Sequence, residues 1–160
     1  MLYGIPPNLP AELLHTLASM GHGDELVLVD ANYPAASDAR HTHLGHALEL
    51  SGRDLVEATA DVLALLPLDL FDEAPVGIMA APGEATPSVH AAVAELLESV
   101  PGAPWTLTPI ERFAFYERAR SAFAIVRTLE RRPYGNVILK KGVLTPDGAL
   151  MSPESASAVD

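Results

Sequence analysis

Four places in this chain gather residue types that can move protons or hold hydroxyl groups. In Gly21-His22-Gly23-Asp24 an imidazole stands uncrowded between two glycines. Histidine changes charge between about pH 5 and 8, so His22 is a candidate acid/base group; glycines that only stop a helix and turn the chain are the plain alternative. Asp30 ends the apolar run ELVLVD, residues 25–30. Open α/β sheets place ligand-binding groups at the carboxyl ends of their strands, and a carboxylate there accepts hydrogen bonds from hydroxyls. Ala31-Asn32-Tyr33-Pro34 equally suits an Asx turn on Asp30.

Arg112 and Tyr116 stand four apart and would share one helical face, presenting a fork of donors beside a phenol. A simple surface contact, with Phe113 and Phe115 supplying core, is the alternative there. The fourth place, Tyr134-Gly135-Asn136, offers a phenol, a flexible backbone and an amide, or only a turn.

Other candidates carry less. His41 and His43 would face one side of a strand, with His46 near them, but no carboxylate or helical His-x-x-x-His pair completes a metal site. His15 and His90 read as helix-surface residues. The glycines, Gly83 and Gly102 among them, form no dinucleotide or phosphate-loop fingerprint. The absence of cysteine removes disulfides, thiolate nucleophiles and sulfur-based zinc sites, and fits a cytosolic protein.

The elements that must position these groups alternate. Pro10 to Met20 puts Leu13, Leu14, Leu17 and Met20 on one face, with Pro10 suited to the first turn and Gly21 to the cap. Glu25 to Asp30 reads as a buried strand, Asp54 to Leu66 as a second helix and Val76 to Ala80 as a second strand. Thr86 and Pro87 open a third helix running to about Glu98. Trp105 to Thr108 reads as strand, Glu111 to Arg120 as helix, and Ala122 to Thr128 and Asn136 to Leu139 as strands. This predicts a single three-layer α/β domain over residues 1–144, with a mainly parallel or mixed sheet covered by helices on both faces. The last two strands are close enough for a hairpin. The tail, 145–160, is rich in Pro, Ser, Ala and acidic residues and reads as mobile.

At 160 residues one domain is expected. A net charge of −11 repels phosphate backbones and anionic lipid, so nucleic acid and membrane surfaces are unexpected partners and a neutral small molecule fits best. No apolar run approaches the roughly 18 residues of a membrane span, and MLYGIPPNLP has no secretory-signal pattern.

Taken together, LLHTLASMGHGDELVLVDANYPA, RFAFYERARSAFAIVRT and YGNVILKKGV resemble the family of D-ribose pyranases and L-fucose mutarotases, from Met1 to about Val143. The resemblance implies that His22 is the catalytic acid, that Asp30 binds sugar, and that further contacts come from Arg112, Tyr134, Gly135 and Asn136, with Tyr116 an addition. The ribose branch typically has a histidine where this chain has Arg112, which points to the fucose branch. It also implies a cytoplasmic homo-oligomer, often a ring-shaped decamer, using neither metal nor organic cofactor. Two features depart from the family: the longer tail, and DARHTHLGH (residues 38–46), which matches none of its motifs.

One consequence is geometric. Five extended steps of about 3.3 Å put His22 and Asp30 roughly 16 Å apart, near opposite ends of one strand. Either the His22 loop folds back along the sheet, or one pocket draws its groups from two subunits. A non-catalytic sugar-binding protein and a metal-dependent isomerase using His41, His43 and His46 are the rival readings.

Overall fold

The computed structural model describes residues 2–83, 86–102 and 104–156. Its centre is a six-stranded sheet in the order β2-β5-β1-β6-β3-β4, formed by β1 (Glu25–Val29), β2 (Ala47–Glu49), β3 (Val76–Met79), β4 (Leu107–Ile110), β5 (Ala124–Arg127) and β6 (Val137–Lys140). β1, β2 and β5 run parallel, as do β3 and β4, while β6 lies antiparallel between β1 and β3. Five strands therefore point one way and one returns between them. The sheet is mixed, but β5 and β6 make no hairpin, because β6 pairs with β1 and β3 on its two sides.

Side chains alternate across each strand, and every residue from Leu26 to Val29 is fully buried, so both faces of β1 are covered. Leu26 and Leu28 pack with Leu13, Leu17, Leu55, Val62, Val89 and Val93, from α1 (Ala11–Ser19), α3 (Leu55–Leu63) and α4 (Ser88–Leu97). Val27 and Val29 pack on the other face with Ala35, Phe115 and Ala119, from α2 (Ala35–Asp38) and α5 (Arg112–Arg120). Each aliphatic side chain buried this way contributes about 1.5–3 kcal/mol relative to exposure. This is the expected three-layer α/β fold.

Local chemistry sets the helix ends. Asp54 and Glu57 form a reciprocal capping box at the start of α3, and the Glu111 carboxylate accepts from the Phe113 and Ala114 amides at the start of α5. α1 does not end on Gly21: its cap is Met20, and the Lys141 ammonium donates to the carbonyls of Leu17 (2.8 Å) and Met20 (2.5 Å). The left-handed turn falls instead on Gly23.

Other expectations shift. β4 starts at Leu107, two residues late, since the Trp105 indole leaves the strand line to donate to the carbonyls of Val100 and Pro101. Pro109 within β4 is tolerated because β4 is an edge strand. His41 ends a 3-10 turn (Ala39–His41) and does not share a strand with His43, whose ring packs on Phe123; His46 pairs with Glu12. Phe113, read as possible core, is 70% exposed, whereas Phe115 is fully buried.

Beyond β6, Leu144 bridges Leu150 around a turn at Thr145, and Pro153–Ala156 form a short α6. The end of the expected tail, 157–160, lies outside the described residues. Among the described residues no helix is long and apolar enough to cross a membrane.

Candidate active site

The carboxyl ends of β1 and β3 meet the amino end of the reversed β6, which brings Asp30, Met79 and Asn136 together across 106 residues of sequence. Asp30 and Asn136 are both buried. The Asn136 side-chain oxygen accepts from the Asp30 amide at 2.9 Å, and its Nδ2 donates to Asp30 Oδ2 at 3.0 Å. The other carboxylate oxygen, Oδ1, accepts from the Asn32 amide at 2.9 Å, so the Asx turn and the candidate site are the same feature. Each oxygen is engaged once in a group with about four acceptor positions, leaving capacity for ligand hydroxyls. Burial raises the Asp30 carboxyl above the usual carboxylate range, against the opposing bonds from Asn32 and Asn136.

These residues wall a cavity of about 200 Å³ that also involves Arg112, Tyr116 and Tyr134, together with Asn32, Tyr33, Met79 and Pro133, which sequence reasoning did not single out. The Arg112 guanidinium lies 5.7 Å from the Tyr116 ring centroid, and Tyr116 packs on Tyr33 at 5.1 Å. Tyr33 donates its hydroxyl to Asp38 at 2.9 Å; burial and that carboxylate push its phenol up, so it stays protonated.

Tyr134 has φ +63°, the left-handed region seldom adopted by non-glycine residues. Strain of this kind persists only where neighbours over-determine it. Two do so here. The Tyr134 carbonyl accepts from His90 Nε2 at 3.0 Å, and His90 is buried, not a helix-surface residue as expected. Next in sequence, Gly135 is buried behind the cavity wall, where a Cβ would come within 2.6 Å of Glu130 Cγ. Its backbone approaches a fixed side chain: burial opposes ionisation of Glu130, but the Arg132 side chain and amide and the Leu55 amide override it and hold the carboxyl at about 2.

His22 does not reach this cavity. It sits before β1, at the opposite end of the strand from Asp30, beside a separate apolar cavity of about 560 Å³ with Leu14, Leu17, Leu65 and Lys141. The loop does not fold back along the sheet. Instead its Nε2 lies 3.1 Å from Oδ1 of Asp69, and the ring tilts against Phe71 with centroids 5.5 Å apart. The His22 side chain is 46% exposed and that of Asp69 5%. Asp69 carried only a weak signal in the sequence, a carboxylate inside the apolar stretch Leu65 to Phe71.

Comparison with known proteins extends this geometry. The chain is similar to the fucose mutarotase of Danio rerio, 42% identical over 151 residues, covering 92% of this chain and 97% of that one. It is likewise 42% identical over 145 residues to the L-fucose mutarotase of Actinobacillus pleuropneumoniae, covering 89% and 97% of the two chains. Among solved structures, the fucose mutarotase of Streptococcus pneumoniae in complex with L-fucose superposes with a TM-score of 0.81 at 39% identity, covering 90% of this chain and all of that one. The model of the RbsD / FucU transport protein family matches residues 3–144. The buried Asp30–Asn136 pair, the strained Tyr134 and the half-exposed His22 thus lie within the matched span, and the chain belongs to the RbsD / FucU transport protein family.

Proposed function

We propose that this protein is a sugar mutarotase that interconverts the α and β anomers of a free monosaccharide, with L-fucose the preferred substrate. The observation that carries this reading is a small polar cavity built on the buried Asp30–Asn136 pair, in a chain 39% identical to a fucose mutarotase solved with L-fucose. The reaction is an isomerisation. The anomeric hydroxyl gives up its proton, the bond from C1 to the ring oxygen breaks, and the ring oxygen takes a proton. The open-chain aldehyde then rotates about its bond to C2 and recloses on its other face. Only protons move, so the reading requires no metal or organic cofactor.

In this reading Asp30 and Asn136 hold sugar hydroxyls, while Arg112, Tyr116 and Tyr134 orient the ring; Gly135 supports the loop from behind. His22 is the acid/base group, a role that typically contributes ~10² to 10⁴ in rate. Because His22 and Asp30 stand at opposite ends of β1, the site is composite: one subunit supplies the pocket and a second subunit supplies His22. A cavity of about 200 Å³ in one chain is smaller than the roughly 300–1,000 Å³ of most ligand sites, which fits a pocket that a second chain completes. The functional unit is therefore a homo-oligomer, a ring of up to ten subunits, acting in the cytoplasm through the domain 1–144.

Saturation-transfer NMR of L-fucose with catalytic amounts of protein tests the reading, with D-ribose and other aldoses in parallel. Faster anomer exchange for L-fucose is expected. Binding without acceleration would favour a non-catalytic sugar-binding protein. Activity lost in excess chelator would revive the metal-dependent reading.

A further inference from the structure

We propose that His90 is a positioning residue for the sugar, clamping the Tyr134 carbonyl by Nε2–H so that residues 134–136 keep the backbone that presents Tyr134 and Asn136 to the cavity. The proposal rests on that cavity being the sugar site, and it assigns to His90 an effect on binding and not on proton transfer. A carbonyl oxygen only accepts hydrogen bonds, so the 3.0 Å contact from His90 Nε2 requires the hydrogen on Nε2. His90 is itself buried and reaches the loop from α4, whose Val89, Val93 and Leu97 are locked into the core beside it. α4 belongs to the helix layer on the Leu26 and Leu28 face, whereas Tyr134 packs with Phe115 and Tyr116 on the other face. The hydrogen bond thus carries the rigidity of one layer to a loop that serves the other.

The loop needs that support at Tyr134. Its two ends are pinned by backbone bonds: the Glu130 carbonyl accepts from the Ala31 amide at 2.8 Å and the Asn136 carbonyl from the Met79 amide at 3.0 Å. Between them the ring of Pro133 sets its own φ, and Gly135 is pressed against Glu130 and the Arg132 carbonyl. Tyr134 takes up the remaining turn, and among the described residues it is the one non-glycine with positive φ. Without a clamp, a tyrosine leaves that conformation for the β or right-handed region. Such a change would swing the peptide that follows and with it Asn136, whose side chain makes two hydrogen bonds to Asp30. A histidine that merely filled core space would not direct its donor at the carbonyl of the strained residue 44 positions away.

Two substitutions in the full-length protein separate the hydrogen bond from the space the ring fills. His90→Leu occupies much of that space without a donor, and His90→Gln keeps an amide N–H at a similar reach. His90→Leu should raise the KM and the calorimetric Kd for L-fucose about tenfold, as expected when a strained backbone is released, with kcat within about twofold of wild type. Backbone couplings measured by NMR should show Tyr134 leaving positive φ in that variant. His90→Gln should restore both the affinity and the φ. Wild-type affinity in folded His90→Leu, a loss confined to kcat, or a His90→Gln protein as weak as His90→Leu overturns the proposal. If the unaltered protein neither accelerates anomer exchange nor binds L-fucose, the mutarotase reading falls, and the Tyr134 φ in His90→Leu still decides for or against the clamp.

Discussion

The two ends of β1 are built differently. At the carboxyl end Asp30 is 4% exposed and Asn136 2%, locked to each other by two hydrogen bonds and backed by the strained Tyr134. At the amino end the His22 side chain is 46% exposed and, among the described residues, is held at one ring nitrogen only. Binding and proton transfer make opposite demands. A pocket that recognises hydroxyls gains from groups fixed and desolvated in advance, whereas an acid/base group needs one nitrogen free to meet the substrate and exchange its proton. Separating the two along a strand gives each its own surroundings and, in the proposed reading, leaves the site for a second chain to complete.

The largest effect that sharpens this contrast is at the free end. His22→Ala should lower anomer exchange by ~10² to 10⁴ while L-fucose binding, measured by calorimetry, and the melting temperature stay close to wild type. A comparable loss of binding would break the division of labour. At the fixed end Asn136→Ala should weaken sugar binding and also destabilise the fold by about 1–3 kcal/mol, because the buried Asp30 loses its partner; denaturant unfolding would measure this. Gly135→Ala, which drives a methyl toward Glu130, should cost a similar ~1–3 kcal/mol through overpacking and raise KM more than it lowers kcat.

The smallest effect is a pH dependence. Glu130 is held at about 2 in the folded protein, against an ordinary glutamate value of about 4.3. Its contribution to stability is complete above the unfolded value and is lost as pH falls from there through about 2. Glu130→Gln should therefore melt below wild type at pH 7, and the gap should close progressively below pH 4. A gap that persists at pH 2 would assign the role of Glu130 to packing alone.

Much of this architecture was legible in the sequence where periodicity was strong. The apolar run at residues 25–29 and the 3-and-4 spacing of Leu13, Leu17, Leu55 and Val62 led to the right elements. The insertion of β6 between β1 and β3 was not legible, because pairing partners are set by packing across the whole sheet and not by local pattern. β2 was missed since it has three residues, only one of them buried, too few to show alternation. In the site, Asp30 and the 134–136 loop were readable as a carboxylate at a strand end and a turn. His90 and Asp69 were not, because each acts through a contact with a segment more than 40 residues away. Strand length alone did give the separation of His22 from Asp30, and the structure keeps them apart.

Whether two chains build one site can be read from mixed oligomers. His22→Ala removes the proton-transfer group and Asp30→Asn disables the pocket, so each variant alone should be inactive toward L-fucose in saturation-transfer NMR. In oligomers reassembled from equal amounts of both, each site draws its histidine from one chain and its pocket from another, each intact half the time, so about one site in four should be active again. Recovery to roughly that fraction is the predicted result; mixed oligomers as inactive as the two parents would contradict the shared site.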